Sequence, residues 1–163
     1  MASTVTPRGV PIDPALFASL DPPRLAGGRC GNCATTVFPV AAACPRCSAD
    51  GPAMAPVALP GHGTIWTLTS QGFEPKPPYT PPPDGFRPYT VGYVDLGDVL
   101  VESLLAGDPA ALDIGVRVRL TLVQTGTAGE VTYAFEPAEP AEPAEPAEPA
   151  EPAEPAGEKE TGT

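Results

Sequence analysis

The chain has 163 residues, of which 25 are proline and four are cysteine, and its net charge is −11. Nine glutamates and one lysine from Glu136 onward carry most of that charge; residues 1–135 hold 11 acidic and 8 basic side chains, a net of −3. A mildly acidic body with scattered cations speaks against nucleic acid as the main partner, and the missing bilayer-length apolar run and signal-type h-region point to a cytoplasmic protein with no membrane contact.

The first 25 residues read as an arm ending in a short helix. Residues 1–12 are polar and contain proline. Asp13-Pro14 is a helix start, with Asp at the N-cap and Pro at the first helical position. About two turns are expected through Leu20, with Leu16, Phe17 and Leu20 on one apolar face, before Asp21-Pro22-Pro23 ends them. So short a helix must dock on something, its own domain ahead of a partner protein.

Residues 26–51 hold all four cysteines, as Cys30-Gly-Asn-Cys33 and Cys44-Pro-Arg-Cys47. Two Cys-x-x-Cys turns this close together offer four thiolates in tetrahedral array, which suits zinc first and iron second. A disulfide pair or four unrelated thiols is the weaker reading. Four protein ligands leave no open position, so Cys30, Cys33, Cys44 and Cys47 are expected to hold a structural zinc ion. Val37-Phe38-Pro39 lies between the two knuckles and is expected to cover the metal with apolar surface.

Residues 56–136 turn to strand patterns. Thr64 to Thr69 is β-branched and aromatic. Tyr89–Leu96 and Val99–Leu105 flank the Gly97-Asp98 turn signal. In the fourth strand Val116, Val118, Leu120 and Leu122 are expected to face inward and Arg117, Arg119 and Thr121 outward. Val131, Tyr133 and Phe135 alternate in the fifth. Asp108 to Leu112 reads as a capped helical turn between strands three and four. The fold class is mainly β: five strands with one short helical insert suggest an OB-type Greek-key barrel.

The connection from Gly72 to Pro88 carries seven prolines, and loops of this length in compact domains are usually functional or mobile. It brings Lys76, Tyr79, Phe86 and Arg87 toward Tyr89, a binding edge of aromatics beside cations; a stiff loop with no ligand stands level with that reading. From Glu136 to Ala156 the sequence repeats Glu-Pro-Ala seven times. Proline at every third residue favours polyproline II, so 137–163 is expected to be a disordered acidic segment, with glutamates ~9 Å apart along one edge. A solubilising bristle is favoured there over a docking segment.

Catalytic constellations are missing. His62 is the only histidine, it sits between glycines, and it reads as a turn residue ahead of a base. Asp95, Asp98 and Glu102 are close in sequence, but acids at turns and edges usually only solvate. No nucleophile motif, phosphate loop or dinucleotide fingerprint occurs.

The order of parts, namely the short N-terminal helix, Gly28-Arg29-Cys30-x-x-Cys33, Val37-Phe38-Pro39, Cys44-Pro45-x-Cys47, Gly61-x-Gly63-Thr64-Ile65-Trp66-Thr67-x-Thr69, Pro88-Tyr89-Thr90-Val91-x-Tyr93-Val94-Asp95-Leu96, Asp113-Ile114-Gly115-x-x-Val118 and Ala134-Phe135, resembles the acyl-CoA-associated family of zinc-ribbon plus OB-fold proteins. The resemblance spans about residues 14–136. It implies a rubredoxin-like structural ribbon with zinc on the four cysteines. It also implies a non-catalytic accessory subunit of a thiolase-fold enzyme, such as a lipid-transfer-type thiolase or steroid side-chain aldolase, or of a hydratase. The OB domain would pack on that partner and help form the acyl-CoA channel. On this reading Lys76, Tyr79, Phe86, Arg87 and Tyr89 meet acyl-CoA or the partner, and Leu16, Phe17 and Leu20 dock the helix on it. Two departures stand out. Ala34 and Ser48 follow the knuckles where the family often has Gly, which is expected to distort the amide turns and weaken metal binding, and the repeat lies outside the family pattern. The alternatives are an OB-type single-stranded nucleic-acid binder and a rubredoxin-like iron electron carrier.

Overall fold

The computed structural model describes residues 9–79, 81 and 84–138. The expectations for residues 1–8 and for the repeat beyond Ala138 lie outside the described residues.

Where a loose arm is expected, Val10–Pro11 forms a short strand, β1. It pairs in parallel with the start of the last strand, Val10 against Glu130 and Pro11 against Val131. An open sheet edge offers unpaired carbonyls, and this segment uses them: Val10 N–H donates to Gly129 O and Ile12 N–H to Val131 O, at 2.9 and 3.0 Å.

The two-turn helix is corrected. Asp13 does cap, its Oδ1 accepting from Ala15 N–H at 2.9 Å, but only a single 3-10 turn follows, over Pro14–Leu16. Phe17–Leu20 then extends as β2 and pairs with β3, Pro23–Cys30. A turn this short has too few hydrogen bonds to propagate alone, and sheet pairing takes the chain instead. Leu16, Phe17 and Leu20 therefore share no helical face. Phe17 lies edge-on to Tyr133, with centroids 6.3 Å apart, and is partly buried in the chain's own core.

β3 organises the N-terminal half. It pairs antiparallel with β2, with β4 (Thr36–Val37) and with β5 (Met54–Ala58). The remaining strands are β6 (His62–Gln71), β7 (Tyr89–Asp95), β8 (Leu100–Leu105), β9 (Arg117–Gln124) and β10 (Glu130–Pro137). Their order is β10-β8-β7-β6-β9, and β9 pairs back onto β10 to close the ring. The β8–β10 pairing is parallel and all the others in the ring are antiparallel. This is the expected five-stranded barrel. A capped 3-10 turn, Pro109–Ala111, stands between β8 and β9 with Asp108 as its cap.

The barrel core is built from inward positions of every strand: Ile65, Val94, Val101, Leu105, Val118, Leu120 and Phe135. The same cluster takes in Leu25 and Leu59, 0% and 3% exposed, from beside the barrel. Thr121 departs from its expected outward exposure: it is buried, opposite the fully buried Ala134. Gly92 is needed where β6 crosses β7, because a Cβ there would collide with the Thr67 carbonyl oxygen. One residue earlier on β6 the register shifts: Ile65 pairs with Val94 and Thr67 with Tyr93. Trp66 is the extra residue of that bulge and is 57% exposed.

Candidate metal centre and binding cleft

The two knuckles fold alike. Ala34 N–H donates to Cys30 O at 2.8 Å and Cys30 N–H to Thr35 O at 2.9 Å; Ser48 N–H donates to Cys44 O at 2.9 Å and Cys44 N–H to Ala49 O at 2.7 Å. The turns close because Ala34 and Ser48 adopt left-handed backbone, φ 59° and 55°. The distortion expected at these two positions does not occur: the backbone that glycine would supply is held by residues with a Cβ.

All four cysteines are free. Their sulfurs lie within 4.8 Å of one another. Cys30 and Cys47 are 3.6 Å apart, as are Cys33 and Cys44. A zinc ion with four sulfurs at ~2.3 Å requires sulfur–sulfur edges of ~3.8 Å, so the residues present fit the metal. The Thr35 hydroxyl, 3.2 Å from Cys33 Sγ, and the Thr35 backbone N–H hold that thiol down to about 6. The Ala49 N–H and the Asn32 amide lower Cys47. At Cys30 the Cys33 amide pulls downward, but burial and the neighbouring thiols leave it raised.

Cys30, Cys44 and Met54 form a second small core, with Val37 and Ala49 against it. Phe38 faces away from it. Its ring meets Tyr133 edge-on at 5.6 Å and belongs to the barrel core. Of the cover expected from Val37-Phe38-Pro39, Val37 serves the metal side and Phe38 joins the knuckle segment to the barrel. Met54 takes the covering place instead, paired with Cys30 across β3 and β5.

The long loop makes a different site. Tyr79 stacks on Tyr89, with centroids 6.4 Å apart and planes 19° apart, and Phe86 meets both rings edge-on. Tyr79, Arg87 and Tyr89 line one wall of an open cleft of about 520 Å³. The facing wall comes from the β9–β10 turn, with Thr125, Thr127 and Glu130, and from Ile12 and Leu104. Arg87 is ion-paired with Asp84. Burial raises the Tyr79 hydroxyl above its ordinary value, aided by Tyr89 and Glu74.

Two family profiles match consecutive parts of the chain. One is described as the rubredoxin-like zinc ribbon domain of ChsH2 and covers residues 17–53. The other is its C-terminal OB-fold domain and covers residues 56–123. The chain belongs to the ChsH2 family. A solved structure titled "Ltp2-ChsH2(DUF35) aldolase" is similar at 25% identity and a TM-score of 0.54, over 70% of this chain and 84% of that one. No curated protein matches.

In this ChsH2-family chain the four cysteines gather as the Cys-x-x-Cys spacing led one to expect. Of the loop residues, Tyr79, Phe86 and Tyr89 form one aromatic group and Arg87 joins two of them at the cleft, whereas Lys76 is exposed and does not line it. The opposite wall had no local signal, because β1 and the β9–β10 turn reach the cleft only through long-range pairing. The three acids near β7 do not gather. Asp95 caps Gly97 N–H at 2.7 Å, Asp98 pairs with Arg29 at 2.9 Å, and Glu102 faces the Tyr93 hydroxyl at 3.4 Å. His62 is exposed at the start of β6. Among the described residues, no helix is long and apolar enough to cross a membrane.

Proposed function

We propose that this chain is the non-catalytic accessory subunit of an acyl-CoA aldolase or thiolase assembly. It binds a thiolase-fold partner and helps hold the acyl-CoA substrate in lipid or steroid side-chain breakdown. The observation that carries this reading is the match to both ChsH2 domains in tandem, together with the likeness to an aldolase of Ltp2 and ChsH2. The zinc is structural, and the carbon–carbon chemistry belongs to the partner.

The cleft supports the substrate part of this reading. Its walls are mostly apolar, with the Tyr79–Tyr89 stack on one side. They suit the pantetheine and acyl arm of a CoA ester. Glu130 disfavours phosphate beside it, and Arg87 on the cleft wall serves a phosphate only by exchanging Asp84 for the ligand. Leu16, Phe17 and Leu20 are left a small part in docking, since Phe17 is engaged within the chain.

Co-expression with a thiolase-fold protein tests the reading. A stable heteromer is expected, with carbon–carbon cleavage of an acyl-CoA that needs both chains. Full activity of the partner alone overturns the accessory role. Within the heteromer, Tyr89→Ala is expected to raise KM for the CoA ester about tenfold with kcat little changed, as loss of uniform binding does; unchanged KM removes the cleft from the substrate path.

A further inference from the structure

The outer face of β6 and β9 carries a basic and apolar strip that no part of the proposed function uses. Arg119 is flanked across the sheet by Glu136 of β10 on one side and His62 of β6 on the other. Arg117, one step along the same face, pairs with Thr64 and is exposed. Ile65 N–H donates to Val116 O and Gly115 N–H to Ile65 O, at 2.9 and 2.8 Å. Those bonds bring Ile114 and the bulged Trp66, 64% and 57% exposed, to the same end of the strip.

We propose that this strip is the docking site of the chain's own acidic repeat, residues 139–156. Three observations select that occupant. Glu136, the glutamate of the first Glu-Pro-Ala unit, already pairs with Arg119 at 2.9 Å. The last described residue, Ala138, donates its N–H to Arg117 O at 2.9 Å, so the described part of the repeat ends against the backbone of Arg117. Arg117 has no acidic partner among the described residues, and six further repeat glutamates follow. The repeat also brings a proline with every glutamate, and exposed aromatic rings such as Trp66 are the usual receivers of proline-rich segments. β6 lies only two strand spacings, ~10 Å, from β10, so a few residues of repeat cover the distance. The repeat then shields an apolar strip, and any protein that uses this face must displace it.

Trp66 is the only tryptophan in the chain, so its fluorescence reports the strip directly. Acrylamide quenching, which is blind to charge, compares the full chain with a full-length variant carrying Glu139→Gln, Glu142→Gln, Glu145→Gln and Glu148→Gln. That variant leaves the barrel sequence untouched. Its quenching constant is expected to rise about twofold, as loss of several exposed ion pairs allows, and high salt is expected to bring the wild type toward the same value. Arg117→Glu should reproduce the rise. Equal quenching in wild type and glutamine variant overturns the proposal. Protection that grows with protein concentration does so too, because it assigns the strip to the repeat of a second copy.

Discussion

Ala34 and Ser48 bear the backbone cost of the metal turns. Each sits in the left-handed region, where a Cβ costs roughly 1–2 kcal/mol relative to glycine, partly offset by glycine's greater freedom in the unfolded chain. Ala34→Gly and Ser48→Gly are each expected to stabilise the ribbon by about 1 kcal/mol, read as a higher urea midpoint for zinc release to a colorimetric chelator. A lower midpoint at either site means that its turn does not need left-handed backbone. Cys44 makes the opposite case: it is 2% exposed and its Sγ stands 3.6 Å from that of Cys33. Cys44→Ala is expected to abolish stoichiometric zinc by metal analysis and to unfold the ribbon, since three thiolates and an apolar void cannot replace the closed site. Full metal content in that variant removes Cys44 from the ligand set.

At the scale of elements, the informative residue is Phe38. It follows β4, beside the knuckles, yet its ring packs on Tyr133 of β10. Deleting a large buried aromatic costs ~3–5 kcal/mol, and for this partly buried ring about 2 kcal/mol is expected from Phe38→Ala. Hydrogen exchange should speed most in β2, β3 and β4, while β6 to β8 change little. Uniform speeding would mean that Phe38 serves the barrel rather than the junction. The same residue marks where the sequence was legible and where it was not. Local signals found the five barrel strands, the Asp13 and Asp108 caps and both metal turns, because alternation, capping and Cys-x-x-Cys spacing are short-range chemistry. The extended course of Phe17–Leu20, the pairing of Met54 with Cys30 and the inward turn of Phe38 depend on partners far along the chain. In the cleft, Tyr79, Arg87 and Tyr89 were visible as a local cluster, but Glu130 and Ile12 reach it only through β10 and β1.

For the whole molecule, the decisive feature is that ribbon and barrel share one apolar cluster. Leu25 of β3 and Leu59 after β5 are as buried as Val94 or Phe135, and Phe17, Phe38 and Val57 pack around them. Two modules that merely touched would melt separately. A shared cluster couples them, because a ribbon that unfolds when its zinc leaves uncovers Leu25 and Leu59 and withdraws apolar burial from the barrel. Full burial of each leucine stabilises by ~1.5–3 kcal/mol, so metal removal should weaken the barrel by a few kcal/mol. At ~2–4 °C per kcal/mol for a chain of this size, the barrel transition should fall by roughly 5–10 °C. Trp66 lies on barrel strand β6, against Tyr93 of β7 and outside the cysteine cluster, and reports barrel unfolding by its emission. The expected result is a Trp66 melting curve that shifts down by that amount with a zinc chelator and recovers on adding zinc back. A curve unmoved by chelation, with zinc loss verified in the same sample, would mean that the barrel stands without its ribbon and that the metal serves the ribbon alone.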